Sequence, residues 1–216
     1  MNFAADLGRF STSSISDALD RLSIKGGLQG ILPISDGLKM CGTAFTVRYI
    51  PTDQTIKKKW VTYIDQAKRG DVIVVDNGGR LYCTTWGDLL TMKAIEMGLS
   101  GTVLYGCCRD VDVIRKMKYP VFSVGRFMMT GKDRVEVETI NEPVTVVDVR
   151  VSPGDIIVGD DSGVVCVPSS KAKEVLESVK EITSKEEAIA DAVKKGVSLT
   201  RARKDQGYGE LQRAKS

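Results

Sequence analysis

Val72-Ile73-Val74-Val75 constrains this chain more than any other stretch. It is a continuous apolar run of strand length, with Gly70-Asp71 before it and Asp76-Asn77-Gly78-Gly79 after it. A strand without polar alternation has no face to give to water, so it belongs inside a sheet covered on both sides. The segments downstream of it set the kind of sheet. A helix reads from Asp88 to about Gly98, and Gly101 leads into Thr102-Val103-Leu104-Tyr105. Val111–Lys118 is a short helix, and Tyr119-Pro120 returns the chain to Val121-Phe122-Ser123-Val124. Strand, helix, strand, helix, strand is the pattern of parallel strands joined by crossover helices.

The flanks read differently. Thr12-Ser13-Ser14 starts an amphipathic helix bearing Ile15, Ala18, Leu19 and Leu22, stopped by Lys25-Gly26-Gly27. Thr43–Tyr49 is strand-like, and residues 55–69 read as a helix with Ile56, Trp60, Tyr63, Ile64 and Ala67 on one face. Between residues 134 and 167, four short β-rich segments (135–137, 144–147, 156–158 and 164–167) are separated by turns at Pro153-Gly154-Asp155 and Asp160-Asp161-Ser162-Gly163. They are expected to form antiparallel hairpins in a second sheet layer. Residues 169–195 read as a long helix with Val175, Val179, Ile182 and Ile189 inward. No linker and no repeat interrupts residues 1–195, which read as one α/β domain with a mostly parallel central sheet and a second, smaller sheet. Residues 196–216 read as a polar, basic tail.

Composition narrows the chemistry. There is no histidine, which excludes Ser-His-Asp and Cys-His triads, HExxH zinc sites and histidine acid–base catalysis. Carboxylates, arginine, lysine, backbone amides, water or a metal must do any work. The net charge of +3 carries no basic face before the C-terminus, so nucleic acid is not expected as a partner. The apolar runs are far shorter than the roughly 20 residues of a membrane helix, so no membrane association is expected. The start Met-Asn-Phe-Ala-Ala-Asp lacks the features of a signal peptide, and five cysteines with no CxxC pair fit free thiols. The expected location is the cytoplasm.

Two segments could carry chemistry. Gly87-Asp88-Leu89-Leu90 opens a helix, and a helix N-terminus offers unpaired N–H groups and a positive dipole end to carboxylates and phosphates. Alone, Asp88 reads first as a helix cap. Arg109-Asp110 comes after the strand 102–105, on the strand-end edge where open α/β sheets bind ligands. Arginine clamps a carboxylate or an enolate oxygen, and aspartate holds a hard cation. Alone, this pair reads equally as a salt bridge with a second cap.

Together they form an acid, twenty intervening residues, then Arg-Asp. That spacing resembles the D-x20-R-D motif of class II pyruvate aldolases acting on 4-hydroxy-4-methyl-2-oxoglutarate, relatives of the regulator of ribonuclease activity A (RraA). Ser16-Asp17-Ala18-Leu19, Cys41–Val47, Gly70–Asp76, Trp86–Leu90 and Gly154–Val164 are similar to the same family, over roughly residues 10–195. The resemblance implies a three-layer β/β/α swivelling-type domain, assembled as a homotrimer or a dimer of trimers. It implies that the backbone of Gly87, Asp88, Leu89 and Leu90 binds a pyruvate carboxylate and that Arg109 contacts the keto or enolate oxygen. It further implies that Asp110 holds Mg²⁺ or Mn²⁺ and that Asp88 assists in metal and proton chemistry. The implied substrate is a small 2-oxo acid, with oxaloacetate decarboxylation as a side activity. The alternative is a non-catalytic RraA-like regulator of ribonuclease activity, and a third reading keeps the fold with another keto acid or a sugar acid.

Other routes are weaker. A Schiff-base lysine would have to be Lys93, in the helix after the loop, or one of Lys57-Lys58-Lys59, which read as a solvated face. Asp160-Asp161-Ser162-Gly163 and Asp76-Asn77-Gly78-Gly79 read first as turns. Met128-Met129 reads as packing or interface.

Overall fold

The computed structural model describes residues 3–53 and 62–210. Helices α1 (Phe3–Leu7) and α2 (Thr12–Arg21) come first; Ser11 caps α2, its side chain accepting the Ser14 amide. Strand β1 (Leu32–Pro33) is short and β2 (Met40–Pro51) is long. Then come β3 (Asp71–Trp86), α3 (Asp88–Met97), β4 (Gly101–Cys108), α4 (Val111–Met117) and β5 (Val121–Arg126). Five further strands are β6 (Val135–Ile140), β7 (Val144–Val146), β8 (Val149–Val151), β9 (Ile156–Asp160) and β10 (Gly163–Val167). Helices α5 (Ala172–Lys194) and α6 (Leu199–Asp205) close the described chain.

The central sheet runs β1-β5-β4-β3-β2-β9-β10, with β6 also paired to β2, and β7-β8 form a separate two-stranded sheet. Strands β2 to β5 are mutually parallel, as the strand–helix alternation requires. The flanking pairs are antiparallel.

Period-two alternation of side chains builds three layers from this sheet. Val72, Val74 and Val103 face the small sheet and pack on Val144, Val146, Val149 and Val151. Ile73, Val75 and Leu104 face the other way, onto Ala94 of α3 and Ile114 of α4. At the β9-β10 end that second face is covered by α1, α2 and α5, where Val175, Val179, Ile182 and Val167 meet Leu7, Ile15 and Leu19. Val72 to Val75 are all fully buried, so both faces of β3 are indeed covered. Burying a side chain of that size stabilises by about 1.5–3 kcal/mol. Ile189 is also buried, completing the inward face expected for the long helix.

Three expectations need correction. First, β3 does not end at Asp76-Asn77-Gly78-Gly79. Gly78 and Gly79 adopt φ of 58° and 68°, the chain bulges, and pairing with β4 resumes from Arg80 to Trp86. Second, the hairpin segments do not all form a second layer. The twelve residues of β2 leave one edge open, and β9 pairs with its first part and β6 with its last, so only β7-β8 stands apart. Third, the helix expected at 55–69 is not formed where the chain is described; residues 55–61, including Ile56 and Trp60, lie outside the described residues. Within the described part only Ile64–Gln66 forms a 3₁₀ turn. The Asp71 carboxylate takes the Lys68 amide at 2.8 Å and the Asp71 amide donates to the Lys68 carbonyl at 3.0 Å, which turns the chain into β3. Tyr63, Ile64 and Ala67 are nevertheless buried.

Candidate active site

Strands β3 and β4 stay paired to their last residues. Trp86 lies in register with Cys108, and the Arg109 amide donates to the Trp86 carbonyl at 3.0 Å. The two chains therefore leave the sheet side by side. One enters α3 through Gly87; the other enters α4 through Arg109 and Asp110.

Gly87 caps α3 with an extended backbone (φ −156°), a conformation open to any residue. Space is what demands glycine here. A Cβ at position 87 would sit 2.6 Å from Asp110 Oδ2 and 3.3 Å from Arg109 Nε. The Asp110 backbone is left-handed (φ 55°, ψ 33°), a region that aspartate and asparagine tolerate better than other side chains. Its Oδ2 accepts Arg109 Nε at 3.1 Å and the Asp88 amide at 3.3 Å. Arg109 and Asp110 keep 38% and 31% of their side-chain surface exposed, so the pair is open to a ligand.

The amides at the head of α3 are partly engaged. Asp88 N–H points to Asp110, and Leu89 N–H donates to Asp88 Oδ1 at 2.8 Å. The Leu90 amide has no partner among the described residues. Leu89 is exposed, while Leu90 packs on the core beneath the helix. Behind the loop, Trp86 Nε1 donates to Thr91 Oγ1 at 2.8 Å and Thr91 Oγ1 donates to the Gly87 carbonyl at 2.9 Å. Trp86 and Thr91 are both buried, so the loop rests on a fixed support.

The structure thus gathers Gly87, Asp88, Arg109 and Asp110 around one carboxylate, with the Leu89 and Leu90 amides beside it. Among the described residues no three His, Cys, Asp or Glu side chains cluster, so there is no all-protein metal cage. The arrangement fits a different kind of site. Mg²⁺ usually keeps several waters and needs only one or two carboxylates. Asp110 Oδ1 receives no bond from the described chain, and Gly87 leaves open the space that a Cβ would fill.

The weaker candidates fall elsewhere. Asp160 and Asp76 are tied into the fold. Asp160 takes Thr12 N, Thr12 Oγ1 and Ser162 N, on the opposite edge of the sheet beside Met40. Asp76 pairs with Arg48 Nε at 3.4 Å and caps the Gly78 amide within the β3 bulge. Lys93 is bonded to Glu96, which raises its pKa, the reverse of what a Schiff-base lysine needs. Lys57, Lys58 and Lys59 lie outside the described residues. Burial pushes the Cys41 thiol up to about 11 and raises Cys107, Cys108 and Cys166 too, so none of these is poised as a nucleophile. No helix among the described residues is long and apolar enough to cross a membrane. The register of β5 against β4, which the sequence does not show, puts Arg126 on the same strand-end edge as the site.

The RraA-like family model, described as Aldolase/RraA, matches residues 12–166, a span that contains the whole site. The chain belongs to the RraA-like family. Among its relatives, protein DlpA of Legionella pneumophila is 41% identical over 209 residues; the match covers 96% of this chain but only 34% of DlpA. A protein of Halalkalibacterium halodurans named "Putative 4-hydroxy-4-methyl-2-oxoglutarate aldolase" is 30% identical over 202 residues, covering 94% of this chain and 93% of that one. The crystal structure of an uncharacterized Pseudomonas syringae protein aligns with a TM-score of 0.87 at 40% identity, over 93% of this chain and 96% of that one. Streptomyces coelicolor RraAS2, described as an unusual member of the RNase ES inhibitor RraA protein family, aligns with a TM-score of 0.78 at 28% identity, over 86% and 93% of the two chains. The RraA-like fold accounts for the parallel central sheet and for the small β7-β8 sheet.

Proposed function

We propose that this chain is a divalent-metal-dependent lyase that cleaves 4-hydroxy-2-oxo acids, such as 4-hydroxy-4-methyl-2-oxoglutarate, to pyruvate, and that it also decarboxylates oxaloacetate. The observation that carries this reading is the bonding of the Asp88 amide and Arg109 Nε to the single carboxylate of Asp110, beside which Gly87 leaves the space of a Cβ. The name borne by the Halalkalibacterium relative supports it.

Both reactions need an electron sink next to a keto group. In the aldol cleavage the 4-hydroxyl loses its proton and the C3–C4 bond breaks. The bonding pair enters the C2–C3 enolate, the C4 half leaves as a carbonyl compound, and a proton returned to C3 completes pyruvate. In oxaloacetate the C3–C4 bond breaks with loss of CO₂ to give the same enolate.

Asp110, with Asp88 beside it, would hold a Mg²⁺ or Mn²⁺ ion largely through water. Such an ion supplies Lewis acidity at the keto oxygen. Arg109 has its Nε on Asp110, which leaves the terminal nitrogens of the guanidinium for the oxygen on which charge develops. The amides of Leu89 and Leu90, at the positive end of α3, receive the substrate carboxylate. Asp88 Oδ1 holds the Leu89 amide in the free protein and turns away from it when the substrate carboxylate arrives. The freed Asp88 carboxylate then moves the proton, directly or through water.

Exposed Leu81, Tyr82, Met128 and Met129 near the ends of β3 and β5 support assembly into a homotrimer or a dimer of trimers as part of this reading. Free thiols at all five cysteines are consistent with a cytoplasmic setting. The test is pyruvate release from 4-hydroxy-4-methyl-2-oxoglutarate and from oxaloacetate, with Mg²⁺ or Mn²⁺ and then with chelator; absence of metal-dependent turnover on both sinks the proposal. A second reading, a non-catalytic regulator of a ribonuclease, draws on the likeness to RraAS2. It predicts no turnover and instead recovery of a ribonuclease in a pull-down from the native host.

A further inference from the structure

Trp86, Cys108 and Arg126 stand in one row across β3, β4 and β5, Trp86 in register with Cys108 and Cys108 with Arg126. Residues paired in a parallel ladder present their side chains to the same face. Trp86 and Cys108 both sit in the core beneath α3 and α4, so Arg126 rises on that face at the edge where the 87–90 loop and Arg109-Asp110 begin. The Phe127 amide donates to the Cys108 carbonyl at 3.0 Å, which carries the ladder one step past Arg126 and fixes its backbone.

Arg109-Asp110 follows Cys108 directly at the end of β4, so it leaves the sheet beside Arg126 at the end of β5.

Arg126 differs from the other arginines of this region. Arg109 bonds Asp110, and Arg48 pairs with Asp76 and Glu138. Arg126 is exposed, and among the described residues its side chain makes no ion pair and no hydrogen bond. A guanidinium held on a strand end, without a carboxylate of its own, is suited to a planar anion brought by a ligand. One such anion, the carboxylate next to the keto group, is already assigned to the head of α3. A second cation on the same sheet edge serves a second anionic group.

We infer that Arg126 binds the distal carboxylate of the substrate and makes the site selective for dicarboxylic 2-oxo acids over those with an uncharged tail. This rests on the reading of the site as a 2-oxo acid site. It adds the residue that sets which 2-oxo acids are taken.

The test compares two unreactive ligands of equal chain length, 2-oxoglutarate and 2-oxopentanoate. Each is titrated calorimetrically into the wild type and into Arg126→Gln, with Mg²⁺ present throughout. The wild type is expected to favour 2-oxoglutarate by at least about tenfold. Arg126→Gln should lose most of that preference while binding 2-oxopentanoate within about twofold of the wild type, and Arg126→Lys should keep part of it. A wild type without preference, or a glutamine variant that keeps it, overturns the inference, as does failure of both ligands to bind. If the preference depends on Arg126 but no 4-hydroxy-2-oxo acid releases pyruvate, the lyase proposal fails and this inference stands.

Discussion

The Asp88 amide donates to Asp110 Oδ2 at 3.3 Å, across 22 positions of sequence. That bond joins the head of α3 to the head of α4. It makes one site of two loops that leave different strands. Arg109 Nε approaches the same oxygen at 3.1 Å, so the Asp110 carboxylate is oriented before any ligand arrives.

Gly87→Ala tests how closely the loops are packed. Its backbone is extended, so alanine meets no conformational penalty there; its Cβ would lie 2.6 Å from Asp110 Oδ2. The variant is expected to lose at least about tenfold in kcat/KM, because the carboxylate must move from its working position. Its melting temperature should stay within about 4 °C of the wild type. Full activity in steady-state assays would show that the contact is irrelevant to turnover.

Thr91→Val probes the support behind the loop. Valine keeps the shape but leaves Trp86 Nε1 buried without its 2.8 Å acceptor. A buried donor left unpaired costs about 1–3 kcal/mol. Denaturant unfolding followed by tryptophan emission should show that loss, and Thr91→Ser should recover most of it. Equal stability of the valine variant would mean that water replaces the threonine hydroxyl.

How much of this was legible in the sequence depends on the interaction. The run Val72–Val75 has no polar face, so its burial on both sides could be read directly. The β3 bulge could not be. Asp76-Asn77-Gly78-Gly79 has the composition of a turn, and whether such glycines reverse a chain or kink it is decided by the neighbouring strand, here β4. Likewise, nothing local in Ile156–Val167 says that β9 joins β2 rather than a separate layer. At the site, the acid and the Arg-Asp pair were recognisable by spacing. Arg126 was not, because its position comes from pairing between β4 and β5.

Asp160 predicts a specific response to acid. Burial alone would raise its pKa, but the bonds from the Thr12 hydroxyl, the Thr12 amide and the Ser162 amide outweigh this and lower it. A carboxyl with a lowered folded-state pKa contributes stability above its unfolded value of about 3.9, and that contribution is lost as pH falls through the folded value. Wild type should therefore lose stability below about pH 4 more steeply than Asp160→Asn, which has no such group to protonate. Parallel acid limbs in denaturant titrations from pH 6 to 3 would refute the assignment.

Arg109→Lys separates charge from geometry. Arginine bonds Asp110 through Nε and still offers its terminal nitrogens, whereas the three donors of a lysine ammonium sit on one atom and cannot reproduce that fork. Loss of a preorganised donor to a developing oxyanion lowers kcat by about 10²–10³-fold. Steady-state kinetics should show that drop with KM changed far less. A variant impaired in KM alone would place Arg109 in ground-state binding rather than at the enolate.

The most direct measurement is pyruvate release from 4-hydroxy-4-methyl-2-oxoglutarate by wild type and Asp110→Asn, each with Mg²⁺, with chelator, and with Mg²⁺ restored. Asparagine tolerates the left-handed backbone at position 110, so the variant keeps the fold. The account predicts wild-type turnover that chelator abolishes and Mg²⁺ restores, and a loss of at least about 100-fold in Asp110→Asn. Turnover that persists in chelator, or an Asp110→Asn variant as active as the wild type, would contradict it.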